Sequence, residues 1–154
     1  MLPRAHLAIA LTLTALGLAP GAAHVMELPV KIGYPAALYA EVTSTLYAWY
    51  GIAGGIVQVS AAVTVAALAY RARRSPAGGL AAASAASLVI SLLLWGALVA
   101  PVNAAWAELS RADVAGFAAA YERLRPRWEL GHVAAFIAWF TGWLGLVAVA
   151  VRRP

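Results

Sequence analysis

The chain has 154 residues, 64% of them hydrophobic and 11% charged, with a mean hydropathy of +0.81. A water-soluble domain carries about a quarter charged residues, so composition excludes a soluble globular surface and points to one membrane domain over residues 1–154 with the lipid bilayer as its solvent. The absence of cysteine removes disulfides, thiolate metal sites and cysteine nucleophiles.

In chain order, four apolar stretches read as transmembrane helices: 7–28, 46–70, 79–102 and 131–151. Each reaches the roughly 20 residues needed to cross a hydrocarbon core about 30 Å thick. The first also fits a signal peptide, with Arg4, an apolar run and Gly21-Ala22-Ala23 before a cleavage point that would leave His24 as the mature N-terminus. The expectation adopted is that it stays as a span. The second contains Gly51 and Gly55 at GxxxG spacing, and the fourth contains Ala138 and Gly142 at small-xxx-small spacing, both of which let helices approach closely in lipid. Trp49, Tyr50, Trp106 and Trp128 fall near one predicted membrane interface, where amphipathic rings are favoured.

The net charge of +5 is read through its placement. Arg4, Arg71, Arg73, Arg74, Arg152 and Arg153 lie at the two termini and in the second loop, with no acid beside them. Lys31, Arg111, Arg123, Arg125 and Arg127 lie on the other side together with all six acids. Cytoplasmic loops carry the Lys/Arg excess, so the expectation is a multi-pass protein of the cell membrane with both termini cytoplasmic. The basic balance then reports topology, and no nucleic acid is expected as a partner. In the long stretch between the last two spans, Ser110 and Asp113 read as a helix start, and Val114, Phe117, Ala118 and Tyr121 share one apolar face. With Pro126 as its stop, residues 111–124 read as a short amphipathic surface helix. The fold class is all-α: an antiparallel bundle of four transmembrane helices with that surface helix between the third and fourth, its oligomeric state left open.

Polar residues gather at one end of these spans. His24, Glu27 and Lys31 follow i, i+3, i+7 on one face of the first helix. Asn103 ends the third, and Arg127, Glu129 and His132 open the fourth. Ionisable groups in spans usually face a bundle interior or an aqueous cavity, so a polar pocket is expected there. A histidine whose proton is fixed by a neighbouring carboxylate is a general base near neutral pH. His24 and His132 are the candidate bases, with Glu27 and Glu129 beside them. Arg127 or Lys31 is placed to hold an oxyanion, and Tyr34, Trp106 and Trp128 to wall in a flat apolar molecule. Two other readings stay open. His-x-x-Glu facing Glu-x-x-His would suit a metal, and Glu27–Lys31 and Arg125–Glu129 would be plain i, i+4 pairs in a ligand- or partner-binding protein without catalysis.

His24-Val-Met-Glu27-Leu-Pro29-Val-Lys31, Pro101-Val-Asn103 and Arg127-Trp128-Glu129-x-x-His132 together resemble the anthrone oxygenase-like family of small four-helix membrane proteins. That resemblance implies an uncleaved first helix. It also implies oxidation of an anthrone-like aromatic or phenolic small molecule by dioxygen without a cofactor or metal, with His132 or His24 as base and Arg127 as partner of the anion.

Overall fold

The computed structural model describes residues 4–109 and 114–152, and every element in it is helical. Helix α1 is Arg4–Lys31, α2 Ala36–Ala72 and α3 Gly78–Leu94, which passes through a π-helical turn, Trp95–Val99, into α4, Ala100–Ala107; α5 is Val114–Val151. Four helices are long and apolar enough to cross a membrane: α1, α2, α3 with its continuation through α4, and α5. Ser110, Arg111 and Asp113, read above as the start of a surface helix, lie outside the described residues.

Local chemistry sets the turns. Tyr34 precedes Pro35, which disfavours helical backbone at Tyr34, and Pro35 then leads into α2. The second turn closes on Ala72, whose carbonyl accepts the Ser75 backbone N–H at 2.7 Å and the Ser75 hydroxyl at 2.8 Å. The helices outrun the apolar stretches: α2 has 37 residues and α5 has 38, about 55 Å each at 1.5 Å per residue. The segment expected as a separate surface helix is continuous with the last span. Pro126 lies inside α5 and removes only one backbone hydrogen bond, while Tyr121 before it and Trp128 after it bury in the same aromatic cluster.

Helix α1 packs against α2 and α5, and α3 against α2 and α5. One core, built on Leu7, Ala61, Val65, Leu68, Leu88, Trp139 and Leu146, occupies the end of the molecule that holds the first residues of α1. A second, of Tyr39, Tyr47, Val99, Val102, Trp106, Tyr121 and Trp128, joins the N-terminal parts of α2 and α5 to α4. The outward faces are apolar as well, with Ile9, Ile56, Val63, Leu93 and Ile137 all exposed, as suits contact with a lipid bilayer.

Polar side chains inside the spans satisfy backbone of neighbouring helices. Gln58 donates to the Gly17 carbonyl at 2.9 Å, the Trp139 indole to Thr14 at 2.9 Å, and Ser87 and Ser91 to Ala138 and Ala135 at 2.7 Å. In hydrocarbon there is no water to serve them instead. The GxxxG expectation is corrected: a Cβ at Gly51 or Gly55 would meet nothing within 4 Å, and the close approach is at Gly54, 2.8 Å from the Pro20 ring. Gly142 does sit at an approach, 2.8 Å from Leu88. A close contact also joins α1 to α5, where a Cβ on Gly17 would lie 2.5 Å from the Trp139 ring. Gly17→Val is therefore expected to lower stability by about 1–3 kcal/mol through overpacking, read as reduced resistance to thermal or detergent-induced unfolding.

The π-turn has a visible effect on register. The buried positions of α3 run Ala81, Ser84, Leu88 and Ser91, and the stripe resumes at Val99, Val102 and Trp106. A regular helix would continue from Ser91 at position 98, so the turn has added one residue and rotated α4 by about 100°. Pro101 has no N–H to give the Ala97 carbonyl four residues earlier, and Arg127 of α5 donates to that carbonyl at 2.8 Å.

Candidate functional site

The polar residues of α1 and α5 meet next to the aromatic core. His24 and Lys31, on one face of α1, are 3% and 1% exposed, and Glu129 of α5 is 3% exposed. The Lys31 ammonium lies 3.2 Å from Glu129 Oε1 and 3.2 Å from His24 Nδ1, and the Tyr39 hydroxyl donates to the same Glu129 oxygen at 2.5 Å. Two ring faces complete the ammonium's surroundings, Tyr47 at 5.0 Å and Trp128 at 5.1 Å, a favourable placement for a desolvated cation. Glu27 accepts a hydrogen bond from the Tyr47 hydroxyl.

These contacts assign the hydrogens of the two imidazoles. An ammonium only donates, so His24 Nδ1 carries the lone pair and its hydrogen is on Nε2. His132 Nδ1 lies 3.0 Å from the Trp128 carbonyl, which only accepts, so that nitrogen holds the hydrogen and Nε2 is a free base. The ring centroids of His24 and His132 are 4.0 Å apart. The pair thus presents one N–H donor and one basic nitrogen, supplied by helices distant in sequence.

Both imidazoles line a cavity of about 780 Å³, walled by Tyr47, Trp106, Tyr121 and Trp128 among others. Its shape follows from packing, because the α2 backbone runs close along α3 but stands off from the π-turn and α4, toward which it reaches with side chains such as Tyr39 against Trp106. Several lining residues are exposed, including Ile52 and Val59 of α2 and Trp95 of the π-turn. The cavity therefore opens sideways, between apolar helix edges.

Most of the residues selected from sequence come together, in ways spacing alone did not give. The histidine–carboxylate couples do not bond within themselves: Lys31 and the Trp128 carbonyl fix the two rings, because the carboxylates are taken by Lys31, Tyr39 and Tyr47. The expected i, i+4 pairs are replaced as well. Lys31 reaches across to Glu129, and Arg125 pairs with Glu122 at 2.8 Å while donating to the Ile32 carbonyl at 3.0 Å.

Asn103 accepts from the Trp128 indole at 2.7 Å and so sets that ring. Trp106 and Trp128 are buried against other helices at 8% and 3% exposure, whereas Trp49 is 70% exposed. Tyr34 lies on a smaller hollow of about 220 Å³, shared with Glu27, Lys31 and Tyr47, away from the main wall. Arg127 is exposed and engaged at Ala97, so the buried cation beside the imidazoles is Lys31. Tyr39 and Tyr47 complete the network. Their signal was the run Tyr39, Thr43, Tyr47 and Tyr50 on one helical face of α2.

The metal expectation meets a specific obstacle. The Lys31 ammonium already fills the point between His24 and Glu129, and among the described residues no three His, Asp or Glu side chains converge to hold an ion. Compared with protein-family models, curated proteins and solved structures, the chain matches none.

Proposed function

We propose that the chain is a cofactor-independent oxidoreductase of the anthrone oxygenase-like kind, acting in the cell membrane on a flat phenolic or ketonic aromatic molecule with dioxygen as co-substrate. In this reading the four spans form an antiparallel bundle with both termini cytoplasmic, as the charge placement argues, and residues 114–124 cover the cavity. One observation carries the reading: His132 has a free Nε2 in an aromatic-walled cavity, 4.0 Å ring to ring from His24.

The chemistry needs only these groups. His132 Nε2 takes the acidic C–H proton of an anthrone-like substrate. The carbanion gives its electron pair to dioxygen as the C–O bond forms, and the peroxide anion is held by His24 Nε2–H. The imidazolium of His132 returns its proton to give the hydroperoxide. Loss of the second C–H proton with cleavage of O–O leaves the quinone carbonyl and water, so one dioxygen is used per substrate. The sideways opening suits a substrate dissolved in the bilayer.

The test is oxygen uptake by the purified protein with anthrone, corrected for spontaneous autoxidation. The expected result is uptake well above the spontaneous rate, with one quinone formed per oxygen consumed. A rate equal to the spontaneous one, with anthrone and with other electron-rich phenols, would overturn the proposal and leave a ligand-binding protein.

A further inference from the structure

The cavity continues well past the two imidazoles. On α2 its lining runs from Thr43 to Val59, about 24 Å at roughly 1.5 Å per residue. Gly17 and Trp139 line it too, seven residues from His24 on α1 and seven from His132 on α5. Both steps lead toward the apolar core of Leu7, Leu88 and Trp139, so this inner arm reaches about 10 Å below the imidazoles. Gln58 of α2 stands at the same level, its amide nitrogen 2.9 Å from the Gly17 carbonyl.

The α2 wall leaves this space open. Gly51 and Gly55 line the cavity, and a Cβ on either would meet nothing within 4 Å. The arm is also apolar, because the polar groups around it are spent on backbone. The Gln58 amide donates to the Gly17 carbonyl, the Ser91 hydroxyl to Ala135 and the Trp139 indole to Thr14. An apolar space without polar partners stays dry and takes up hydrocarbon. Its mouth suits the same occupant, since Ile52 and Val59 of α2 and Trp95 of the π-turn are exposed along the opening. A compact ring system held at the imidazoles would leave the arm empty.

We infer that the inner arm holds a flexible aliphatic chain, and that the cavity's ligand is a ring-headed lipid. Its aromatic ring lies beside His24 and His132, and its chain runs past Gly55 toward Gln58 and Trp139. The depth of the arm is that of about eight extended methylenes with C–C bonds of about 1.5 Å. A longer chain can leave through the sideways opening into the bilayer, from which the whole molecule enters. The family resemblance implies a ring system alone, and the arm adds the chain. This rests on the reading of the cavity as a site for an aromatic molecule, but not on that molecule being oxidised.

The experiment is photolabelling of the purified protein under nitrogen with 4-octylphenol carrying a diazirine on its last chain carbon, the adducts being mapped by peptide mass spectrometry. Adducts are expected on the arm, at Gly17, Gln58 and Trp139. Excess unmodified 4-octylphenol should lower them about tenfold by mass action, and the same concentration of a dioctanoyl phosphatidylcholine should not. Gly55→Leu, which fills the arm, should lower them about tenfold through overpacking. Ala53→Leu, which adds the same bulk on the exposed face of α2, should leave them unchanged. Adducts spread over outward residues such as Ile9 and Val63, or unchanged in Gly55→Leu, overturn the inference. Suppression by the phosphatidylcholine as strong as by octylphenol assigns the arm to a bilayer acyl chain and overturns it as well. The competition uses the wild-type chain alone, so it does not depend on how any variant folds. Arm adducts in a protein that fails to oxidise anthrone would count against catalysis alone, and anthrone oxidation without arm adducts would count against the chain alone.

Discussion

His132→Gln is expected to lower the maximal rate of oxygen uptake with anthrone by a factor of about 10²–10⁴, the usual contribution of a positioned general base. Glutamine keeps an N–H for the Trp128 carbonyl that His132 now meets at 3.0 Å but has no basic nitrogen to take the proton. The loss should fall on kcat with KM little changed, because the aromatic walls remain in place. Thermal unfolding should be close to that of the parent, which separates lost chemistry from lost structure. A variant within about threefold of the parent rate would exclude His132 as the base. The same substitution at His24 should have the smaller effect, since that ring offers an N–H and not a lone pair.

The second large effect concerns the buried ion pair. Lys31 and Glu129 side chains are 2% and 4% exposed. Removing either partner leaves the other charged in a desolvated site, which typically costs about 3–5 kcal/mol. Lys31→Met should be severe, since Glu129 would keep only the Tyr39 hydroxyl and its second oxygen already has no partner. Glu129→Gln should be severe for the complementary reason. The double variant Lys31→Met/Glu129→Gln is expected to lose clearly less than the two single losses added together, because neither charge is then left alone. Denaturation in mild detergent measures all three, and strict additivity would mean that the pair is not coupled. Arg125–Glu122 is a useful contrast. Glu122 is 58% exposed although the Arg125 side chain is 6% exposed, so Glu122→Gln, which keeps an acceptor for the buried guanidinium, should cost clearly less than either single change at Lys31 or Glu129.

What was legible in the sequence follows from what each signal measures. Apolar length located four helices, but only the stretch that must be apolar. The helices continue past it wherever neighbouring packing supports them, which is why α5 begins at Val114 and runs through Pro126. Helical spacing correctly put His24 and Lys31 on one face of α1. It could not decide which carboxylate would take the ammonium, because that depends on the distance between α1 and α5. GxxxG spacing misplaced a helix contact, since it counts small residues without knowing which of them another helix meets, and Gly51 and Gly55 line the cavity while Gly54 meets Pro20. The register of α4 was hidden for a similar reason. Buried residues seven apart predict an unbroken stripe, and at the π-turn Trp95–Val99 the buried position is Val99 where regular spacing from Ser91 gives 98. Arg127 looked like a site cation because it adjoins Trp128 and Glu129, yet the carbonyl left without its usual donor by Pro101 claims it.

The account stands on His24 and His132 being neighbours, and the absence of native cysteine makes that directly measurable. The double variant His24→Cys/His132→Cys, with a protease site placed between Arg73 and Ala77, can be oxidised in native membranes, cleaved and separated under denaturing conditions. The predicted result is that the two halves of the chain stay covalently joined until reduced. The control Met26→Cys/His132→Cys, with Met26 80% exposed on the same helix, should separate. Halves that separate in both variants, or that join equally in both, would contradict the placement of the two imidazoles and with it the catalytic reading.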